Sequence, residues 1–251
     1  MKRPLILTDA DNTLWDTDAV FANAQLGLLT LVEEATGSAC PDSDRLSFVR
    51  RYDQALAKLH HAHLKYPPML LVRALQLALE GAGPESVATA VIQGRNRTSQ
   101  LDQTAVELVV QAYLGMLSDL PQLLPTVAEG LSIARGAGIG MYILSEGKIE
   151  KQRKLVSHYS LDDSFAGVFE VSKNQSQFER LRQRFAHHDV VVMGDQPDRD
   201  VVPAKTAGCT TILIPSRFRP HWQDPTHWNS ADFVATTFKE GIDWVLQQTG
   251  H

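Results

Sequence analysis

Asp9 and Asp11 stand two residues apart at the end of an apolar run, PLILTDAD. Three later places share that character: Ser145 directly follows IGMYIL, Lys173 lies just beyond GVFEV, and Asp195, Asp198 and Asp200 follow VVVM in the stretch GDQPDRD. If these places meet, three or four carboxylates are crowded together and repel one another strongly unless a cation sits among them. Magnesium is the simplest such cation, a hard ion that takes oxygen ligands in an octahedron, often one or two carboxylates with substrate phosphate and water. Lys173 and Ser145 would then hold phosphate oxygens on the other side.

The meeting requires the apolar runs to be strands of one sheet. Residues 3–9 predict a short buried strand, with Pro4 tolerated near its start and Leu5, Ile6 and Leu7 apolar without alternation. From about 18 to 120 the pattern is helical, and Leu101, Ala105, Leu108, Val109, Ala112, Tyr113, Met116 and Leu117 show the three-and-four spacing most clearly. Breaks at 37–41, at Pro67-Pro68 and at 81–84 divide it into four or five helices. After Leu120 the grammar alternates. Thr126 and Glu129, at capping-box spacing, open a helix that ends at Gly136 and Gly138. Strands are then expected at 139–144, 167–171, 190–193 and 210–214, with helices between them, an edge strand at 232–235 and a closing helix. Continuous apolar strands separated by helices predict a parallel sheet covered on both faces. The first strand cannot bury both of its faces alone and must join that sheet. In such sheets ligands bind beyond the carboxyl ends of the strands, where all four singled-out places fall.

DADNT at 9–13, Ser145 after a strand, Lys173, and GDQPDRD at 194–200 resemble, in that order, the four motifs of the haloacid dehalogenase superfamily. The resemblance covers essentially the whole chain. It implies an α/β fold: a Rossmann-like three-layer core with a central parallel sheet over 1–17 and 121–251, plus an inserted α-helical cap over 18–120. It also implies a magnesium-dependent phosphatase that hydrolyses a small phosphorylated metabolite, a phosphomonoester, through an aspartyl-phosphate. Asp9 would be the nucleophile, and Asp11, on the same face of an extended segment, would protonate the leaving oxygen and then activate water. Asp9, the Asp11 main-chain carbonyl, Asp195 and Asp200 would hold Mg2+, with Asp198 the weaker acidic candidate. Ser145 and Lys173 complete the catalytic set, and Asp11, Asn12, Thr13, Ser145, Glu146 and Lys173 would surround the substrate phosphate. A phosphomutase, a haloacid dehalogenase and a binding or regulatory module without turnover are the alternatives; the dehalogenase branch does not need Asp11. Three positions depart from the family pattern: Asn12 where many members have glycine, Glu146 where a neutral residue is common and where a carboxylate should turn from phosphate or bind a polar group, and Asn174 where proline is usual.

Composition narrows the partners. Hydrophobic residues at 43% and charged residues at 21% suit a packed core. A net charge of −5 gives no basic field for nucleic acid. No uncharged apolar run approaches the roughly 18 residues of a membrane span, and acidic residues arrive too early for a secretory core segment. Cys40 and Cys209 have neither zinc nor disulfide spacing and are expected to be buried. The expected location is the cytoplasm, and the oligomeric state stays open. His60, His61 and His63 are too close on one helix to converge on a metal. Lys148, Lys151 and Lys154 are expected on a solvated face, as are the cap cations Arg50, Arg51, Lys58, Lys65 and Arg73 unless one reaches the substrate. Trp15 is read as lining the cleft or making a hinge contact, and RFRPHWQDPTHW at 217–228 as a packed surface loop or a border of the site.

Overall fold

The computed structural model describes residues 2–95, 101–219 and 223–249. Contacts divide them into two units. One contains the chain up to Asp18 and from Pro121 onward, and the other runs from Ala19 to Leu120.

The first unit is built on a six-stranded, wholly parallel sheet of β1 (Arg3–Thr8), β2 (Gly140–Ser145), β3 (Gly167–Glu170), β4 (His188–Gly194), β5 (Thr210–Leu213) and β6 (Phe233–Val234). The strand order is β3-β2-β1-β4-β5-β6, so the N-terminal strand lies at the centre of a sheet otherwise made by the second half of the chain. Leu7 pairs with Tyr142 on one side and Val192 on the other. Successive side chains of β1 enter opposite layers. Ile6 packs with Met141, Ile143, Val191, Met193 and Ile212, whereas Leu5 and Leu7 pack with Leu144, Val190 and Val192. That double burial explains why the strand is apolar without alternation.

Helices cover both faces: α6 (Val127–Gly136), α7 (Ile149–His158), α8 (Gln175–Arg184), the short α9 (Val202–Thr206) and α10 (Phe238–Thr249). Phe178 and Leu181 of α8 join the Leu7 layer, and Leu131 of α6, Leu155 of α7 and Phe238 of α10 join the Ile6 layer. The expected capping box of α6 is not formed. Thr126 sits at φ +68 with no side-chain cap bond, and its Oγ1 instead accepts from the Lys239 backbone at 3.4 Å. A residue in the left-handed region cannot aim its side chain at the first-turn N–H groups.

The second unit is all-helical among its described residues: α1 (Thr17–Thr36), α2 (Arg45–Leu59), α3 (Pro68–Leu79), α4 (Pro84–Ile92) and α5 (Gln103–Met116). The breaks fall where backbone chemistry requires them, with Gly37 and Gly81 at positive φ and Pro68 and Pro84 opening helices. Asp44 and Asp102 cap α2 and α5 through the Ser47 and Ala105 N–H groups at 3.0 and 2.7 Å. Leu28, Val49, Leu56, Leu71, Leu75 and Val106 fill the core of this unit. Cys40 is only half-buried, against expectation, while Cys209 is buried as expected. Among the described residues no helix is long and apolar enough to cross a membrane.

Candidate functional site

β1 runs straight into the site. Its ladder continues one residue further, the Asp9 N–H donating to the Met193 carbonyl at 2.7 Å, and this fixes Asp9 at the rim with only 7% exposure. A tight turn follows in which the Asn12 N–H donates to the Trp15 carbonyl at 2.8 Å. Asn12 itself is left-handed, φ 59, and its Oδ1 accepts from the Asp18 N–H at 2.7 Å. Asparagine therefore does at position 12 what glycine does through freedom of φ. Thr13 turns back and donates to Asp9 Oδ2 at 3.2 Å.

The strands on either side of β1 deliver the rest. Ser145 ends β2 and is 1% exposed. Lys173, beyond β3, donates to Asp9 Oδ1 and, at 2.6 Å, to Asp200 Oδ1. Asp195 follows β4, and a single π-turn over Pro197–Val201 carries Asp200 back over the strand end, where its Oδ2 accepts from the Gln196 N–H at 3.1 Å. That return needs Gly194. A β-carbon there would lie 2.2 Å from Asp200 Cγ. Gly194→Ala should displace Asp200, loosening Lys173 and costing about 1–3 kcal/mol of stability as overpacking does; a thermal melt and a magnesium titration of the variant check this, and unchanged values for both would be incompatible with the packing described.

Carboxylate oxygens of Asp9, Asp195 and Asp200 lie within 4.8 Å of one another, all buried. Three carboxylates share one ammonium, and the imbalance is visible in their acidities. Burial pushes Asp9 up to about 7, with Lys173 opposing and the Asp200 and Asp11 carboxylates adding to the rise. Burial, then Asp9 and Asp200, push Asp195 well above the usual carboxylate range. Burial works against the charge of Lys173, but Asp200 and Asp9 outweigh it and hold the ammonium protonated. A hard oxygen-only donor set with excess negative charge fits a divalent cation such as magnesium.

The Asp11 carboxylate lies outside this cluster. Thr17 Oγ1 donates to its Oδ1 at 2.8 Å and Gln152 Nε2 to its Oδ2 at 3.1 Å, while Lys151 Nζ stands 3.6 Å from Oδ1. Lys148, Lys151 and Lys154 are exposed, as expected, and Lys148 stands 3.7 Å from Glu170 much as Lys151 does from Asp11. Gln152 was not legible as a site residue, although one signal existed: it occupies the buried stripe of α7 with Leu155 and Val156.

Glu146 accepts the Lys173 N–H at 3.1 Å and pairs through both oxygens with Arg199. Burial raises its pKa, but the Arg199 hydrogen bond and the Lys173 N–H bring it below the usual value. Asp198 is exposed and accepts from Gln223 at 3.1 Å, away from the cluster. Asn174 caps α8 through the Gln177 N–H at 3.0 Å, a task proline cannot perform. Trp15 is fully buried, stacked on Tyr159 with centroids 6.1 Å apart, and so lines no cleft. In the 217–228 segment Arg219 lies over the Trp228 ring at 4.3 Å, and residues 220–222 lie outside the described residues. The histidines of the helical unit gather no ligand set among the described residues; His60 Nδ1 accepts from the Ala62 N–H at 3.1 Å.

A family model for haloacid dehalogenase-like hydrolases matches residues 4–208. The chain belongs to this family. Solved structures of the same fold cover almost the entire hydrolase. A haloacid dehalogenase-like family hydrolase from Xanthomonas campestris superposes with a TM-score of 0.61 at 15% identity, over 99% of this chain and 98% of the other. A predicted phosphoglycolate phosphatase from Haemophilus somnus gives 0.60 at 14% identity, over 97% and 98%. The L-2-haloacid dehalogenase of Xanthobacter autotrophicus gives 0.52 at 16% identity, over 98% of each chain. No curated protein sequence matches the hydrolase.

Proposed function

We propose that this hydrolase is a magnesium-dependent phosphatase acting on a small phosphomonoester through a phosphorylated Asp9. The observation that carries the reading is the arrangement of two separate acidic groups at one strand rim. Asp9 belongs to a buried cluster with Asp195, Asp200 and Lys173, while Asp11 stands beside it on its own hydrogen bonds. A dehalogenase needs the first group only; a phosphatase needs both.

Asp9, the Asp11 main-chain carbonyl, Asp195 and Asp200 would hold the cation, which supplies neutralisation of the phosphoryl charge as it builds. An Asp9 carboxylate oxygen attacks phosphorus, and the bond from phosphorus to the leaving oxygen breaks. Asp11 gives that oxygen its proton. Asp11 then takes a proton from water as the water attacks the aspartyl-phosphate, and phosphate leaves with Asp9 restored. Lys173 offsets the charge of Asp9 and the phosphoryl group, Ser145 holds a phosphoryl oxygen, and Thr13 orients Asp9. Arg199 keeps Glu146 off the phosphate. In this reading 18–120 serves as the cap that selects the substrate and 1–17 with 121–251 as the catalytic core.

A panel of phosphomonoesters assayed with magnesium and with chelator tests the reading. Turnover should require the metal, and Asp11→Asn should cut hydrolysis of alkyl phosphates by about 10²-fold or more while affecting nitrophenyl phosphate far less, since only poor leaving groups need the proton. Equal losses on both would remove Asp11 from the acid role, and turnover indifferent to chelation would remove the metal.

A further inference from the structure

Gln152 is 0% exposed, and its amide joins three groups of the site. Its Oε1 accepts from Trp15 Nε1 at 2.9 Å, and its Nε2 donates to Asp11 Oδ2 at 3.1 Å and to Ser145 Oγ at 3.2 Å. The Trp15 partner dictates the amide's orientation, because an indole N–H only donates and so must face the amide oxygen. Leucine or methionine would leave the indole without a partner, glutamate would set a second carboxylate against Asp11, and lysine could not accept. The amide end is anchored on a rigid ring: Trp15 is itself buried and stacked on Tyr159, whose hydroxyl donates to the Pro121 carbonyl at 2.7 Å.

We infer that Gln152 is a positioning residue that aims the Asp11 carboxylate and the Ser145 hydroxyl at the substrate together. With Thr17 on Oδ1 and Gln152 on Oδ2, both oxygens of Asp11 are tied and the plane of its carboxyl group is fixed. Ser145 Oγ accepts from the Gly147 N–H at 3.0 Å as well as from Gln152, so both lone pairs are engaged and its proton is left to donate. A misplacement on the order of 1 Å at such a group costs about 10²-fold in rate. The inference rests on the acid role of Asp11 proposed above.

Two variants test it. Gln152→Met keeps length and removes every polar contact, and Gln152→Glu keeps an acceptor for Trp15 while removing the donor to Asp11 and Ser145. The Trp15 indole N–H resonance reports whether the pocket remains folded. Both variants should lower kcat for alkyl phosphates by about 10- to 100-fold with KM nearly unchanged, and lower kcat for nitrophenyl phosphate several-fold at most. In the Asp11→Asn background Gln152→Glu should add almost nothing to the leaving-group preference. If Asp11→Asn is selective for poor leaving groups but the Gln152 variants lose both substrates equally, or add in full to Asp11→Asn, Gln152 is only structural and the inference fails while the phosphatase reading stands. If Asp11→Asn is itself unselective, both fail.

Discussion

Asp9→Asn should lose turnover by about 10⁴-fold or more and, in the absence of metal at pH 8, melt several degrees higher than the parent protein. The two effects have one cause. The Asp9 carboxylate is buried beside Asp195 and Asp200 with one ammonium among the three, and burial with that repulsion lifts its pKa to about 7. The fold therefore works against the charge that the reaction needs. Asparagine keeps the shape and the bond from Thr13 but carries no charge, so the substitution removes the nucleophile and relieves the repulsion together. A melt in chelator paired with a phosphomonoester assay reads both. A variant that loses activity and also loses stability would mean that the Lys173 contact to Asp9, not the carboxylate repulsion, dominates the energetics of the cluster.

The sheet was legible because its central strands are continuously apolar, and β1, β2 and β4 run directly into Asp9, Ser145 and Asp195. That β1 joins the sheet followed from a negative argument, since Leu5, Ile6 and Leu7 had no other elements to cover them; its central place is set by the topology. The candidate residues Asp9, Ser145, Lys173, Asp195 and Asp200 were readable because each lies at or shortly after the carboxyl end of a strand. What escaped was set by backbone geometry and by side-chain reach. Thr126 fits the capping pattern in sequence, but its positive φ turns the hydroxyl elsewhere. Glu146 gave no hint of its partner, because Arg199 is 53 residues away and reaches it only through the π-turn after β4. Gln152 is the instructive omission, a polar residue on a buried helical stripe that three partners account for.

The same cluster predicts how metal and pH act together on stability. Asp9 has a folded value near 7 against 3.8 for the free side chain, so the folded protein holds that proton more tightly than the unfolded chain does. The contribution is therefore complete below about pH 4 and is lost as pH rises towards 7, at up to about 1.4 kcal/mol per pH unit for one proton. Asp195 is displaced in the same direction and adds to the trend. Carboxylates displaced the other way, such as Glu33 beside Arg45, Asp232 beside Lys205 and Glu146 beside Arg199, titrate below their ordinary values, whereas burial displaces Asp53 upward along with the cluster. Metal-free protein should accordingly melt lower at pH 8 than at pH 5.5. Magnesium competes with the proton for the same oxygens, so its stabilisation, about 2.7 kcal/mol when present at a hundred times its dissociation constant, should require much less metal at pH 8 than at pH 5.5. In Asp9→Asn both the fall of the metal-free melting temperature and the pH dependence of the magnesium effect should flatten. Melting curves for the two proteins across that window, with and without magnesium, decide the matter: a metal-free melting temperature that climbs with pH would show that the three carboxylates are already neutralised by the protein, and the case for a cation among them would be lost.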